Sequence, residues 1–239
     1  FPQYFVLLLS FCQVVQALCL GSGKGPLLAQ WVSDQGLANA ELSDLQRGEA
    51  GRLLSRVGVT SDVDQDQIND RLRNFVSRSE TFSVPNKKAA YELTHIAFYL
   101  SEYGRKDPCF SANARQSLKF CGTLAFLDCN WDLLAEVLVA MRYCGMTPPV
   151  EWDKAVSQVM TEFLVAEGDN AVRQDDYHDY LVCNWALSSQ GRSAFQQPLT
   201  CGPTSFHSAA YKPAPLREMS EVMYRLDARR SADALQMRD

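Results

Sequence analysis

The feature that most constrains the fold is a series of apolar segments with helical spacing, most of which end at a glycine. Apolar residues recur three and four positions apart along most of the chain, and the alternation typical of strands is nearly absent. The short Gly- or Pro-containing connections favour antiparallel helical hairpins. Helices are predicted over residues 4–20, 26–34, 40–57, 61–77, 85–103, 111–127, 131–144, 151–166 and 175–190.

Two of these helices, 85–103 and 175–190, are apolar on most faces, whereas the others are more amphipathic. A helix that is apolar all round is usually buried, so these two are expected in an inner layer. The prediction is an all-α fold of antiparallel helical hairpins in an α/α toroid-like or solenoid-like arrangement, with an irregular bundle as the alternative.

The predicted organisation has two parts. Residues 1–191 form the helical-hairpin domain, and residues 192–239 form a loop, a C-terminal docking helix and a frayed tail. The docking helix falls at 214–227, which is amphipathic and offers a contact for a second copy or a partner protein. Residues 4–20 are short for a membrane span, so we expect a buried first helix, with a secretory signal as the alternative.

Composition excludes some functions. The formal net charge is -5 and no basic block is present, which argues against nucleic acid as a partner. Several of the eight cysteines lie within apolar helical patterns, and the chain is not a short secreted scaffold. Reduced thiols in a cytoplasmic protein are therefore expected.

Two of the three histidines lie in apolar helices. His95 has Tyr99 four residues later on the same face, and Asp175 and Asp176 lie just upstream of His178, separated from it by Tyr177. These histidines, with Asp176 and Tyr99, are candidates for general acid and base catalysis. The alternative is structural, because a buried histidine can simply be hydrogen-bonded and aspartates also cap helices.

A third candidate lies at the junction of two helices, in the segment 127–132. Asp128, Cys129 and Asp132 are each able to bind a metal, although Asp and Asn residues at this position also cap the following helix. Together with His178 they form a workable zinc set, since catalytic zinc takes three N, S or O ligands and keeps a fourth position open. Zinc is therefore the one candidate cofactor, and a metal-free acid–base site without any cofactor is the alternative.

The segment Asp175-Asp176-Tyr177-His178 resembles the D-x-Y-H stretch of protein prenyltransferase β-subunits, whose fold is an α/α toroid like that of terpene cyclases. The resemblance implies zinc binding by His178. Asp128-Cys129 is similar, more loosely, to the family's Asp and Cys ligands. Asp179 stands where the family has Thr, and the Gly-rich repeats are missing. Two helical stretches also resemble uncharacterised bacterial helical proteins.

The leading hypothesis for function is an enzyme of small-molecule metabolism with its His/Asp site in the mouth of a helical toroid. Aromatic walls would suit a small apolar or cationic molecule, such as an isoprenoid-like one, because ring faces attract positive charge. These walls would come from Tyr99, Tyr177, Trp131 and Trp185. The alternative is a non-catalytic helical scaffold that binds a protein or peptide in its concave face.

Overall fold

The computed structural model describes residues 2–21, 23–167, 175–198, 202–209, 214–216, 218, 219 and 222, and most of these residues are helical. The α-helices are α1 (Phe5–Ala17), α2 (Lys24–Asp34), α3 (Leu37–Ala40), α4 (Asp44–Arg56), α5 (Gln65–Val76), α6 (Lys87–Leu100), α7 (Ala112–Leu127), α8 (Trp131–Tyr143), α9 (Val150–Met160) and α10 (Tyr177–Ser189). Two strands, β1 (Phe163–Glu167) and β2 (Thr204–Ser208), form a small sheet. The prediction of a helical fold is confirmed, with this sheet as an addition.

Side-chain caps fix the starts of three helices in and around the site, α6, α7 and α8. Asn86, Ser111 and Asn130 each accept a hydrogen bond from the backbone N–H three residues further on, at 3.1, 3.1 and 3.2 Å. Such a cap contributes about 1 kcal/mol to helix stability. The register of α6, α7 and α8, and hence the direction of their side chains, is therefore set locally by the sequence.

Four helices pack side by side in a row: α4 against α6, α6 against α8, and α8 against α10. We name it the inner row because it includes both helices that are predicted for an inner layer. The helices between them in sequence, α5, α7 and α9, each pack against the helix before and the helix after. The predicted inner helices, 85–103 and 175–190, correspond to α6 and α10. The most enclosed member is α8, in which every residue from Leu133 to Met141 is buried.

The first helix is buried on one face only. α1 packs against α2 and α4 through Phe5, Leu9 and Gln13, and the Gln13 side-chain amide donates to the Leu53 carbonyl at 2.5 Å. The expectation of a buried helix therefore holds for one face. The apolar side chains exposed on the helix are Leu7, Leu8, Phe11, Val14 and Val15. Among the described residues, no helix is both long enough and apolar enough to cross a membrane.

The small sheet corrects the predicted helix at 151–166. That helix ends at Met160, and Phe163 begins β1, which pairs with β2 in antiparallel register. The Phe163 ring packs edge-on against Tyr180 at 5.6 Å, so the ladder and this contact together favour the extended conformation. β2 lies in a segment predicted as loop, and His207 is half-buried on it. Most of the predicted docking helix at 214–227 lies outside the described residues.

The aspartates before α10 hold β2 in place. Asp175 accepts from the backbone N–H groups of Tyr177 and Phe206, both at 3.3 Å. Asp176 accepts from the backbone N–H of Ser208 at 2.9 Å, and its own N–H donates to the Phe206 carbonyl at 2.8 Å. These carboxylates therefore join the start of α10 to the sheet.

Candidate functional site

The candidate site is a cluster of two carboxylates and one imidazole on adjacent inner helices. Asp132 and Glu136 stand four residues apart on α8, so they share one helix face, and His178 lies in the first turn of α10. One ligand atom from each residue lies within 4.8 Å of the others. This is the type of residue group that can hold a metal ion.

Asp132 is held by two neighbours. Its Oδ1 lies 2.7 Å from Nδ1 of His178, and its Oδ2 accepts a hydrogen bond from the Tyr91 hydroxyl on α6. Burial, together with the adjacent Asp132 carboxylate, raises the pKa of Tyr91 far above its usual range. Tyr91 therefore remains a protonated donor, and it fixes one carboxylate oxygen while the other faces the imidazole.

Glu136 repeats this arrangement one helical turn later. Its side chain is almost fully buried, its Oε2 accepts from the Thr94 hydroxyl at 2.5 Å, and its Oε1 lies 3.8 Å from Nε2 of His95. Burial acts to lower the pKa of His95, but the Glu136 carboxylate outweighs it, so the pKa of His95 lies above its usual value. The imidazolium form of His95 is therefore favoured beside a buried carboxylate.

The site is buried on the carboxylate side and open on the histidine side. The side chains of His178 and His95 are 55% and 41% exposed, against 14% for Asp132 and 4% for Glu136. Carboxylates in a poorly solvated position attract cations strongly, because the local dielectric is low. A small molecule from solution can approach the two imidazoles while the protein holds the carboxylates in place.

The other predicted site residues have different surroundings. Oδ1 of Asp128 accepts from the backbone N–H of Leu216 at 3.0 Å, and Cys129 occupies the turn after α7 with a φ of 52°. Within the part of the chain that the structure describes, neither residue belongs to a potential metal-binding group with His178. The Asp176 carboxylate binds β2, as described above.

Tyr99 continues the polar face of α6 away from the cluster. Its ring lies 6.0 Å from that of His95, and the Arg52 guanidinium lies 5.3 Å from its centre. Burial, with Glu49 nearby, raises the pKa of Tyr99 well above its usual range. Tyr99 is therefore a neutral neighbour of His95. Among the predicted wall residues, Trp185 belongs to an aromatic group with Phe98, Tyr103 and Tyr143.

Sequence reasoning missed three members of the site, Glu136, Tyr91 and Thr94. Glu136 had a detectable signal, since it is the one charged residue within the apolar run Leu133–Met141. A charge on a fully buried helix needs a partner, and its position four residues after Asp132 gives it the same face. Tyr91 and Thr94 carried no comparable signal, because both residue types are common in ordinary helix packing.

Fold and site together define an all-α protein with a half-open cluster of histidines and carboxylates. The chain matches a family model along residues 1–239 and therefore belongs to the family described as Domain of unknown function (DUF6902). Comparisons with curated proteins and with solved structures give no match. The geometry of the site is therefore the basis for the functional proposal.

Proposed function

We propose that the protein is a metal-dependent enzyme of small-molecule metabolism, with a divalent ion bound by Asp132, Glu136 and His178. The convergence of these three residues carries the proposal, because their ligand atoms lie within 4.8 Å of one another. Ligand atoms around a tetrahedral zinc ion lie about 3.4 Å apart. Small side-chain rotations are therefore sufficient to close the site around an ion.

The donor set suggests which ions to test. Three protein ligands leave a coordination position open, as in catalytic rather than structural zinc sites. Imidazole suits zinc and iron, whereas carboxylates also suit manganese and magnesium. Zinc is the first ion to test, followed by iron(II) and manganese(II). Asp128 and Cys129, which the prenyltransferase resemblance implies as ligands, are not included, because their positions separate them from this cluster.

The supporting residues fit a metal site as well. Tyr91 and Thr94 bind the outer oxygens of Asp132 and Glu136, as partners of ligating carboxylates commonly do. An ion with an open position lowers the pKa of a bound water. With Asp132, Glu136 and His178 holding such an ion, His95, beside Glu136 and open to solvent, would be the residue that accepts or releases a proton at the site.

The position of the cluster in the fold supports a small-molecule enzyme. The cluster lies on α8 and α10 and its supporting residues lie on α6, so that three consecutive helices of the inner row build the site. We propose that this row lines the concave wall of a toroid-like or solenoid-like arrangement, with the exposed imidazoles facing the opening. A preformed concave site with a few convergent polar groups is typical of small-molecule binding.

Metal analysis tests the proposal directly. Purified protein is stripped with a chelator, reconstituted separately with zinc, iron(II) and manganese(II), and analysed by elemental mass spectrometry. We expect the wild type to retain one equivalent of one of these ions. Glu136→Gln, which keeps an acceptor for Thr94, and His178→Ala are expected to lose it. His207→Ala is the matched control, because His207 lies on β2 and outside the cluster.

Circular dichroism shows whether each variant is folded, so that metal loss is separated from unfolding. If the folded wild type retains no stoichiometric ion, or if Glu136→Gln and His178→Ala retain it as the control does, the metal proposal is wrong. The non-catalytic scaffold would then be the better proposal for the inner row.

A further inference from the structure

A cavity of about 590 Å³ lies next to the candidate site and reaches the Asp132 side of the cluster. Its wall is formed by residues within 82–86, by the first turns of α6, and by parts of α7 and α8. Asp132, a member of the cluster, and Tyr91, its hydrogen-bond partner, both line the cavity. Its volume falls within the range of about 300–1,000 Å³ that is typical of small-molecule sites.

Most of the wall is apolar. Phe82, Ala90, Leu124 and Ala125 contribute aliphatic and aromatic surface from three different elements. Cys121 adds to it, because burial raises the pKa of its thiol to about 12 and keeps it uncharged. An apolar body is therefore the best match for most of the space.

The charged part of the wall is predominantly negative. Among the lining residues that the structure describes, three are acidic (Asp128, Asp132 and Asp179) and one is basic (Lys87). An ion in the cluster would offset the charges of Asp132 and Glu136, and acidic residues would still outnumber Lys87 in the described lining. This lining therefore carries a net negative formal charge with or without the metal, which disfavours an anionic ligand. The lining Trp131 ring also favours a cation, whereas the Tyr91 ring already has the Lys87 ammonium 5.8 Å from its centre.

We infer that this cavity binds a small apolar molecule that carries a protonated amine. We assign this molecule as the substrate of the Asp132 site, and this assignment rests on the proposed function. The apolar body lies against α7, and the ammonium group lies at the acidic end beside Asp132 and Asp128. Binding to the cavity itself depends on its shape and charge and not on the metal.

Three probes with eight carbon atoms each separate shape from charge. Calorimetry at neutral pH compares n-octylamine, which is protonated there, with octanol and octanoate. We expect octylamine to bind at least about ten-fold tighter than octanoate, since one unbalanced charge nearby is enough for such a difference. Octanol is expected to fall between them.

Two leucines of α7 give a matched pair of variants. Leu124 lines the cavity, whereas Leu127, three residues later, does not line it and is 50% exposed. Leu124→Trp fills the cavity and is expected to weaken octylamine and octanol about ten-fold or more, the effect of losing burial of about two methylene groups. Leu127→Trp is expected to bind both probes as the wild type does.

A charge variant keeps the test decisive if Leu124→Trp folds poorly. Asp128→Asn retains an oxygen acceptor for the Leu216 amide but removes one negative charge. We expect the preference for octylamine over octanoate to fall several-fold, with octanol affinity unchanged. If octanoate binds the wild type as tightly as octylamine, or if Leu124→Trp and Leu127→Trp behave alike, the inference is wrong.

The two proposals fail separately. Leu124→Trp should retain the metal and lose the amine, whereas His178→Ala should lose the metal and still bind octanol. Octylamine binding with the expected variant pattern, in a protein without any metal, would support the amine cavity and overturn its role as a substrate site.

Discussion

The helices α1 and α8 have the same length of 13 residues and a similar apolar composition, but opposite surroundings. α8 lies between α6, α7, α9 and α10, and its residues from Leu133 to Met141 are all buried. Among the residues that the structure describes, α1 packs on one side only, and Phe11 on its other face is 58% exposed. Composition therefore makes a helix apolar, but the number of packed neighbours decides how much of it is buried.

The buried polar residues of the two helices differ in a way that is more informative about function. Gln13 on α1 reaches a backbone carbonyl on α4, which is a structural tether. Glu136 on α8 instead faces an imidazole and shares its helix face with Asp132. A buried carboxylate costs far more than a buried amide. The presence of the Glu136 carboxylate in the most enclosed helix therefore fits the metal-binding role that we propose for it.

The largest expected effect lies in the core of α8. Leu138 is fully buried, so Leu138→Ala should lower the free energy of unfolding by about 2–5 kcal/mol. Leu8→Ala on α1 is the matched change at a side chain that is 44% exposed, and it should cost less than about 1 kcal/mol. Urea unfolding followed by circular dichroism measures both. Equal losses would mean that the two helices are equally enclosed.

The next effect tests whether the buried carboxylate of α8 depends on its donor. Thr94→Val keeps the side-chain shape but removes the hydroxyl that binds Glu136. Leaving that oxygen without its donor should cost about 1–3 kcal/mol of unfolding free energy. Thr123→Val, at an exposed position of α7, should change the same quantity by less than about 0.5 kcal/mol. If Thr94→Val leaves the unfolding free energy unchanged, the Glu136 oxygen does not depend on this hydroxyl, and water can replace it.

The third prediction concerns pH. The folded-state pKa of His95 lies above the model-peptide value of 6.5 because of Glu136, so its contribution to stability is fully present below pH 6.5. That contribution is lost as the pH rises through the folded-state pKa. In metal-free protein, unfolding free energy should therefore fall as the pH rises above 6.5. Glu136→Gln should flatten this dependence in urea titrations; an unchanged slope would contradict the His95–Glu136 coupling.

The smallest effect is expected on the exposed face of α1. Phe11→Ser should leave the unfolding free energy within about 0.5 kcal/mol of wild type, because most of the ring is already in solvent. Binding of a hydrophobic dye to the native protein should decrease, since such dyes bind exposed apolar surface. A loss of stability comparable to that of Leu138→Ala would show that the α1 face is covered in the native protein.

The helices were the most predictable part of the fold. The predicted ranges 111–127 and 131–144 agree with α7 and α8 to within one residue, because cap residues and Gly145 mark the boundaries locally. The segment 163–166 was predicted as helix and forms β1 instead. Its strand partner lies about forty residues later, and periodicity within a short window contains no information about such a partner.

The site was predictable only in part, for a related reason. Asp132 and His178 were both candidates, and the structure places them 2.7 Å apart. The local sequence around Asp128 is compatible with a helix cap or with a metal ligand. In the structure, however, Asp128 accepts a hydrogen bond from the backbone N–H of Leu216, far along the chain. Local sequence identifies residues capable of chemistry, whereas the packing of α6, α8 and α10 decides which of them meet.

The bonds between β2 and the aspartates before α10 have a consequence for the order of assembly during synthesis. Translation delivers Asp132, Glu136 and His178 to the growing chain before it delivers Thr204–Ser208. Until β2 emerges from the ribosome, Asp175 and Asp176 lack the amides that fix the start of α10. The nascent chain therefore contains every proposed ligand before the start of α10, which carries His178, can be fixed in position by β2.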